Sequence, residues 1–165
     1  MSSNKTVFLA LAAILFAIGC VAPQPKPFQT PFNEEEFAAY AKNGTGRIVG
    51  QAFLKTRAGD VKVGAGNTVQ LAPVTPYTTE MRQRVTLNGE RMLQADPRIE
   101  PYVRKTVADA GGNFEFANLP AGEYYLSCVI TWEVPSGSVL IPTGGIAYST
   151  AKLGEGETVK VVVTR

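Results

Sequence analysis

The chain has 165 residues, enough for one domain with its own core. Its 16 basic and 14 acidic residues leave a formal charge of only +2, which excludes a global electrostatic pull toward nucleic acid or an anionic membrane surface. It has no histidine, which excludes imidazole general bases, Ser-His-Asp triads and imidazole-dependent zinc sites, while 45% hydrophobic residues beside 16 glycines and 11 prolines favour many short elements joined by turns.

Residues 1–20, MSSNKTVFLALAAILFAIGC, open with Lys5 and continue in an apolar run from Val7 to Ile18. The run suits a secretory signal core and is too short to span a bilayer, which takes about 20 residues. Its end, AIGC, resembles the bacterial lipoprotein signal, in which small residues precede a cysteine that is acylated and becomes the new N-terminus. Ala17 stands where that pattern more often has leucine. The resemblance implies a signal peptide over 1–19, a lipid such as palmitate on Cys20, and a mature charge of 15 − 14 = +1 once Lys5 is removed. Val21, not aspartate, follows the cysteine, which implies the outer membrane, facing the periplasm or the cell surface. The proline-rich stretch 20–32 then reads as a semi-rigid spacer.

Residues 33–44 read as a short helix. Asn33 suits the N-cap, Glu36 completes a capping box, Phe32 and Phe37 form a hydrophobic staple, and Asn43-Gly44 ends it. From there the apolar period becomes two. Strands are expected near 46–54, 67–73, 102–108, 113–118, 123–134, 145–152 and 157–164, which predicts a mainly β, seven-stranded antiparallel sandwich over 45–165. In the longest strand Tyr124, Leu126, Cys128, Ile130, Trp132 and Val134 share the core face. Cys128 therefore reads as a small buried hydrophobe and Trp132 as a core anchor.

Three stretches, GRIVGQAFL (46–54), GAGNTVQLAPVT (64–75) and ADAGGNFEFANLPAGEYYLSC (108–128), resemble the carboxypeptidase regulatory-like domain. That resemblance implies a transthyretin-like (prealbumin-like) β-sandwich. It rests on Asp109, Gly112, Phe114, Phe116, Leu119, Pro120, Gly122 and Tyr124, and it says little about function. The residues read as structural. Asp109 with Gly111-Gly112 makes a tight turn, both phenylalanines face the core, Pro120 fixes one φ of the next turn, and Gly122 frees another. Asp109 and Asn113 fall well short of the 6 to 8 oxygens that calcium takes, so no metal is expected.

Residues 77–101 form a long insertion between strands, with a helical turn or two near 79–94. Through Lys105 the segment gathers Arg82, Arg84, Arg91, Arg98 and Arg104 against Glu80, Glu90, Asp96 and Glu100. It reads equally as a solvated flap over a sheet edge and as a partner-binding loop that uses Tyr77, Arg82, Arg84, Arg91, Arg98 and Tyr102.

Catalytic motifs fail on inspection. Ser149 and Lys152 match Ser-x-x-Lys, but on a strand they point to opposite faces. No phosphate-cradling loop is present. The expectation is a non-enzymatic, membrane-anchored lipoprotein of the bacterial envelope, without cofactor, held by lipid on Cys20 and binding an envelope protein. The alternatives are a glycan- or peptidoglycan-binding module using exposed rings such as Tyr77, Tyr102 or Tyr125, and an assembly lipoprotein like those of type VI secretion. A pocket joining two carboxylates, such as Asp96 with Glu100, would instead indicate an enzyme.

Overall fold

The structure is a computed structural model that describes residues 24–165; the signal segment 1–19 and the lipidation site Cys20 lie outside the described residues. The chain is mainly β. In order it forms β1 (Gly46–Lys55), β2 (Val61–Val63), β3 (Thr68–Pro73), α1 (Pro76–Met81), β4 (Arg104–Val107), β5 (Asn113–Leu119), β6 (Gly122–Ser136), β7 (Val139–Leu153) and β8 (Thr158–Val163). The strands make two four-stranded sheets. One runs β4-β3-β6-β7, all antiparallel. In the other, β1 pairs antiparallel with β2 and β5 and parallel with β8.

Among the described residues there are thus eight strands rather than seven, and one pair is parallel. β2 is only three residues long, too short for alternation to register as a pattern. β8 follows β7 of the opposite sheet and crosses before it pairs with β1, so the crossing, not a hairpin, sets its direction. Between the sheets lies one core. Ile48, Ala52 and Leu54 from β1 meet Phe114, Phe116 and Leu119 from β5, and Val69, Leu71, Tyr124, Leu126, Cys128 and Ile130 cover them from the other side. Burial pushes the Cys128 thiol up from its usual range, as expected of a cysteine acting as a hydrophobe.

The 109–113 turn is built as its residues dictate. The Asp109 carboxylate accepts from the backbone of Gly111 and Asn113, both at 2.8 Å, and Gly112 turns the chain at φ +78°. At the next corner the left-handed residue is Asn118, φ +57°, and not Gly122. Gly122 is required for space, since a Cβ there would lie 2.5 Å from the Tyr40 ring. Tyr124 is buried and donates to the Pro120 carbonyl at 2.7 Å, and burial pushes its hydroxyl up to about 12.

β6 and β7 form one long hairpin closed by Gly137-Ser138, with Gly137 at φ +62°. β7 begins six residues before the expected 145, because Pro142, Gly144 and Gly145 read as loop. Trp132 is half-buried against the core, but Val134, Val139, Leu140 and Ile141 lie beyond it and are exposed.

The expected helix over 33–44 is a shorter 3₁₀ helix, Glu34–Tyr40. Asn33 caps it by accepting from Glu35, and Phe32 stacks on Phe37 at 4.8 Å. Glu36 accepts from the Asn33 side-chain amide at 3.4 Å rather than from its backbone, so the full box does not form. The linker is not a free spacer where it is described. Lys26 bridges to the insertion through hydrogen bonds with Arg91 and Leu93, and Gln29 and Thr30 donate to Glu80.

Candidate functional site

The insertion is folded down over the outer face of the β4-β3-β6-β7 sheet. α1 starts it, capped by Thr75 with Pro76 at its first position. A π-helical turn, Arg82–Leu87, continues it to Gly89 at φ +65°, and a 3₁₀ turn, Pro97–Tyr102, leads into β4. Phe37, Tyr77 and Ile99 bury a second small core, packed by Phe28, Phe32, Met81 and Tyr102. The segment therefore has its own apolar reason to be ordered.

This packing decides the fate of the expected site residues. Tyr77 is 2% exposed, and its hydroxyl accepts from the Asp96 backbone at 2.8 Å. It presents no ring to a partner. Tyr102 packs on Phe37 with centroids 4.9 Å apart and is likewise structural. Arg84 donates to Glu80 at 2.7 Å and to Glu90 at 3.2 Å, and also to the Pro27 carbonyl. Burial alone would raise the Glu80 carboxyl. The Gln29 and Thr30 amides and the Arg84 guanidinium outweigh it and hold the group at about 2. Arg98 chelates Asp96 and lies over the Phe32 ring at 4.8 Å. Arg91 is exposed and bridges only through its carbonyl. Arg84 and Arg98 are thus spent on internal ion pairs.

Arg82 is different. Its guanidinium carbon lies 4.8 Å from the Tyr125 ring centroid and 5.5 Å from that of Tyr148. Among the described residues it forms no salt bridge, and its buried Nε has no hydrogen-bond partner. It lines a cleft of about 230 Å³ between the insertion and the sheet. Ala72, Met81, Ala95, Ile99 and Val103 give that cleft apolar walls. Gln70, Ser127 and Tyr148 from the sheet, with the Glu100–Lys105 pair, give it polar edges. Glu100 is the cleft's one carboxylate, and its partner Lys105 lies 2.7 Å away; Asp96 is held by Arg98 elsewhere. The paired-carboxylate arrangement that would indicate hydrolysis is not assembled in this cleft.

Tyr125 does face the cleft, but Arg82 covers its ring and Thr79 meets its hydroxyl at 3.1 Å. The sequence did not single out Gln70, Ser127 or Tyr148. The available signal was strand alternation, which puts Tyr125 and Ser127 on the polar face of β6; register then sets Tyr148 opposite Ser127. What alternation cannot supply is that the insertion roofs these residues. A second, broader groove of about 740 Å³ lies beside Trp132 and the long hairpin, with Lys55, Arg57, Lys62 and Arg165 along it.

No protein-family model matches the chain, and no curated protein matches it. Among solved structures it is similar to a protein of Pseudomonas aeruginosa, known by crystallography and described as a proposed carbohydrate-binding protein. The two are 30% identical with a TM-score of 0.73, over 82% of this chain and 99% of that one. At that identity, over nearly the whole of the other protein, this chain belongs to the family of that Pseudomonas aeruginosa protein.

Proposed function

We propose that this protein is a non-catalytic glycan-binding module of the bacterial envelope, held at a membrane by lipid on Cys20, whose sandwich is of the carboxypeptidase regulatory-like kind. The observation that carries the binding assignment is the cleft under the insertion. Its walls are apolar, while the side chains of Gln70, Arg82, Ser127 and Tyr148 line it and form no hydrogen bond with another described residue. A sugar ring has an apolar face and a hydroxylated edge, and it suits such a site. Specificity in small-molecule sites comes from a few placed polar groups on an apolar wall. The cleft is smaller than the roughly 300–1,000 Å³ of drug-sized pockets, so it fits one sugar unit of a longer chain. Membership in the family of a protein described as a proposed carbohydrate binder supports the same reading.

The folded-down insertion favours this reading over a loop that reaches for a protein partner. A protruding loop would leave Tyr77 and Tyr102 available; here both hold the insertion down. The AIGC sequence at 17–20 supports acylation of Cys20.

The test is a glycan array probed with the tagged chain, alongside Tyr148→Ala and Ser127→Ala. The expected result is retention on a restricted set of glycans, with binding lowered at least tenfold in Tyr148→Ala and no loss of thermal stability. Retention of no glycan, or binding by both variants equal to that of the wild type, would overturn the assignment. Palmitate labelling in cells tests the anchor separately: wild type takes up label and Cys20→Ala does not.

A further inference from the structure

We infer that the cleft under the insertion takes an acidic sugar, and that the Arg82 guanidinium receives the sugar's carboxylate. This rests on the glycan-binding reading above and narrows it to a ligand class.

The inference begins with an unspent cation. Buried polar groups are nearly always hydrogen-bonded, and an exception calls for a physical reason. Arg82 is one of two residues with a buried, unpartnered side-chain atom among those described. The other, Glu36, has its second oxygen bonded to Asn33. On Arg82 no guanidinium N–H has an acceptor among the described residues: Nε is closed over by its surroundings, and the terminal Nη groups are the donors left for a ligand in the cleft. The guanidinium is held in place by two tyrosine rings, which hold its position through their π faces and accept no hydrogen bond in the guanidinium plane.

The neighbouring arginines show what the alternative looks like. Arg84, two residues on, donates to Glu80, Glu90 and the Pro27 carbonyl. Arg98 chelates both oxygens of Asp96. The insertion supplies carboxylates to these arginines and none to Arg82.

Charge in the cleft agrees. Arg82 and Lys105 line it with one acid, Glu100, and Glu100 is already paired with Lys105 at 2.7 Å. That leaves one positive charge uncompensated, and Arg82 carries it. A guanidinium presents N–H donors in a planar fork that matches the two oxygens of a carboxylate, and the low polarity of the walls strengthens the pair. A uronic acid supplies both requirements at once: a ring for the walls and a carboxylate for the fork. A neutral sugar would leave the guanidinium unpaired.

The experiment is calorimetric titration of the full chain with oligomers of galacturonate and glucuronate, each beside its carboxyl-reduced neutral counterpart. Hexanoate serves as an acid without a sugar. Arg82→Gln and Arg82→Lys are titrated in parallel, with melting temperature as the check on folding. The expected result is at least tenfold tighter binding of one uronate oligomer than of its reduced form. Arg82→Gln abolishes that difference, Arg82→Lys retains part of it, and raised salt weakens binding of the acid alone. If acid and reduced forms bind equally, the acidic-sugar inference fails and the glycan reading stands. Tighter acid binding that persists in Arg82→Gln also overturns the role of Arg82. If neither uronate oligomer binds, the acidic-sugar inference fails and the glycan reading is decided by the array; if hexanoate binds as tightly as the oligomers, the cleft recognises a carboxylate and not a sugar, and the inference fails.

Discussion

At Gly112 a side chain has neither the backbone angle nor the space it needs: φ is +78°, and a Cβ would sit 2.6 Å from the Ala52 carbonyl oxygen. Gly112→Ala is expected to cost about 2–3 kcal/mol, read as a lower urea midpoint with an unchanged slope. Gly122→Ala is expected to cost less. Its Cβ would meet the Tyr40 ring rather than backbone, and that ring lies at the edge of the core and can swing. Phe116→Ala opens a cavity beside Phe114 in the centre of the core, and the expected loss is about 3–5 kcal/mol. The roles of Gly112 and Phe116 were legible in the sequence, whereas Gly122, read as a φ requirement, is needed for space beside Tyr40. A glycine after Asp-Ala-Gly, and phenylalanines alternating with Glu115, carry their structural reason in their own spacing. The positive φ at Asn118 was not legible. Any of several polar residues at that corner can turn the chain, and the identity of the one that does is set by how β5 meets β1.

At the scale of elements, the informative contact is between the N-terminal segment and α1. Glu80 accepts from the amides of Gln29 and Thr30 and from Arg84, with its side chain 11% exposed. Its carboxyl is held at about 2 against an ordinary 4.5. A depressed folded-state value means the stabilisation is complete above pH 4.5 and is lost as pH falls toward 2. Protection of the Gln29 and Thr30 amides from hydrogen exchange is expected to fall over that window, and in Glu80→Gln to be weak at every pH. Protection of β6 serves as the internal reference. The sequence placed Glu80 and Arg84 in one charged segment. The i,i+4 spacing of the two on a helix makes them local partners, but nothing in that spacing shows that Glu80 also holds the amides of a linker about 50 residues away, because that contact follows tertiary proximity. The same holds for Tyr77 and Tyr102. In sequence they are aromatics in a polar loop, and only the presence of Phe28, Phe32 and Phe37 nearby turns them into core.

For the whole molecule, the two clusters predict two levels of stability. The sandwich core draws on both sheets, whereas the insertion rests on three buried side chains and their neighbours. Residues 76–102 are therefore expected to exchange amide hydrogens by local opening, at lower free energy than β1 and β6. A ligand in the cleft touches both the insertion and the sheet, so its binding is expected to slow that opening selectively, which exchange with and without ligand would show. The sequence by itself determined the mainly β class, the inward face of β6 from Tyr124 to Ile130, the turn at 109–113 and the ordered cap at Asn33, because periodicity, φ preference and capping act within a few residues. Only the tertiary structure decided that β8 runs parallel to β1, that the insertion folds down as a roof, and that Arg82 is left facing Tyr125 and Tyr148 without a carboxylate. Those outcomes depend on which distant surfaces meet, and residue spacing carries no information about that.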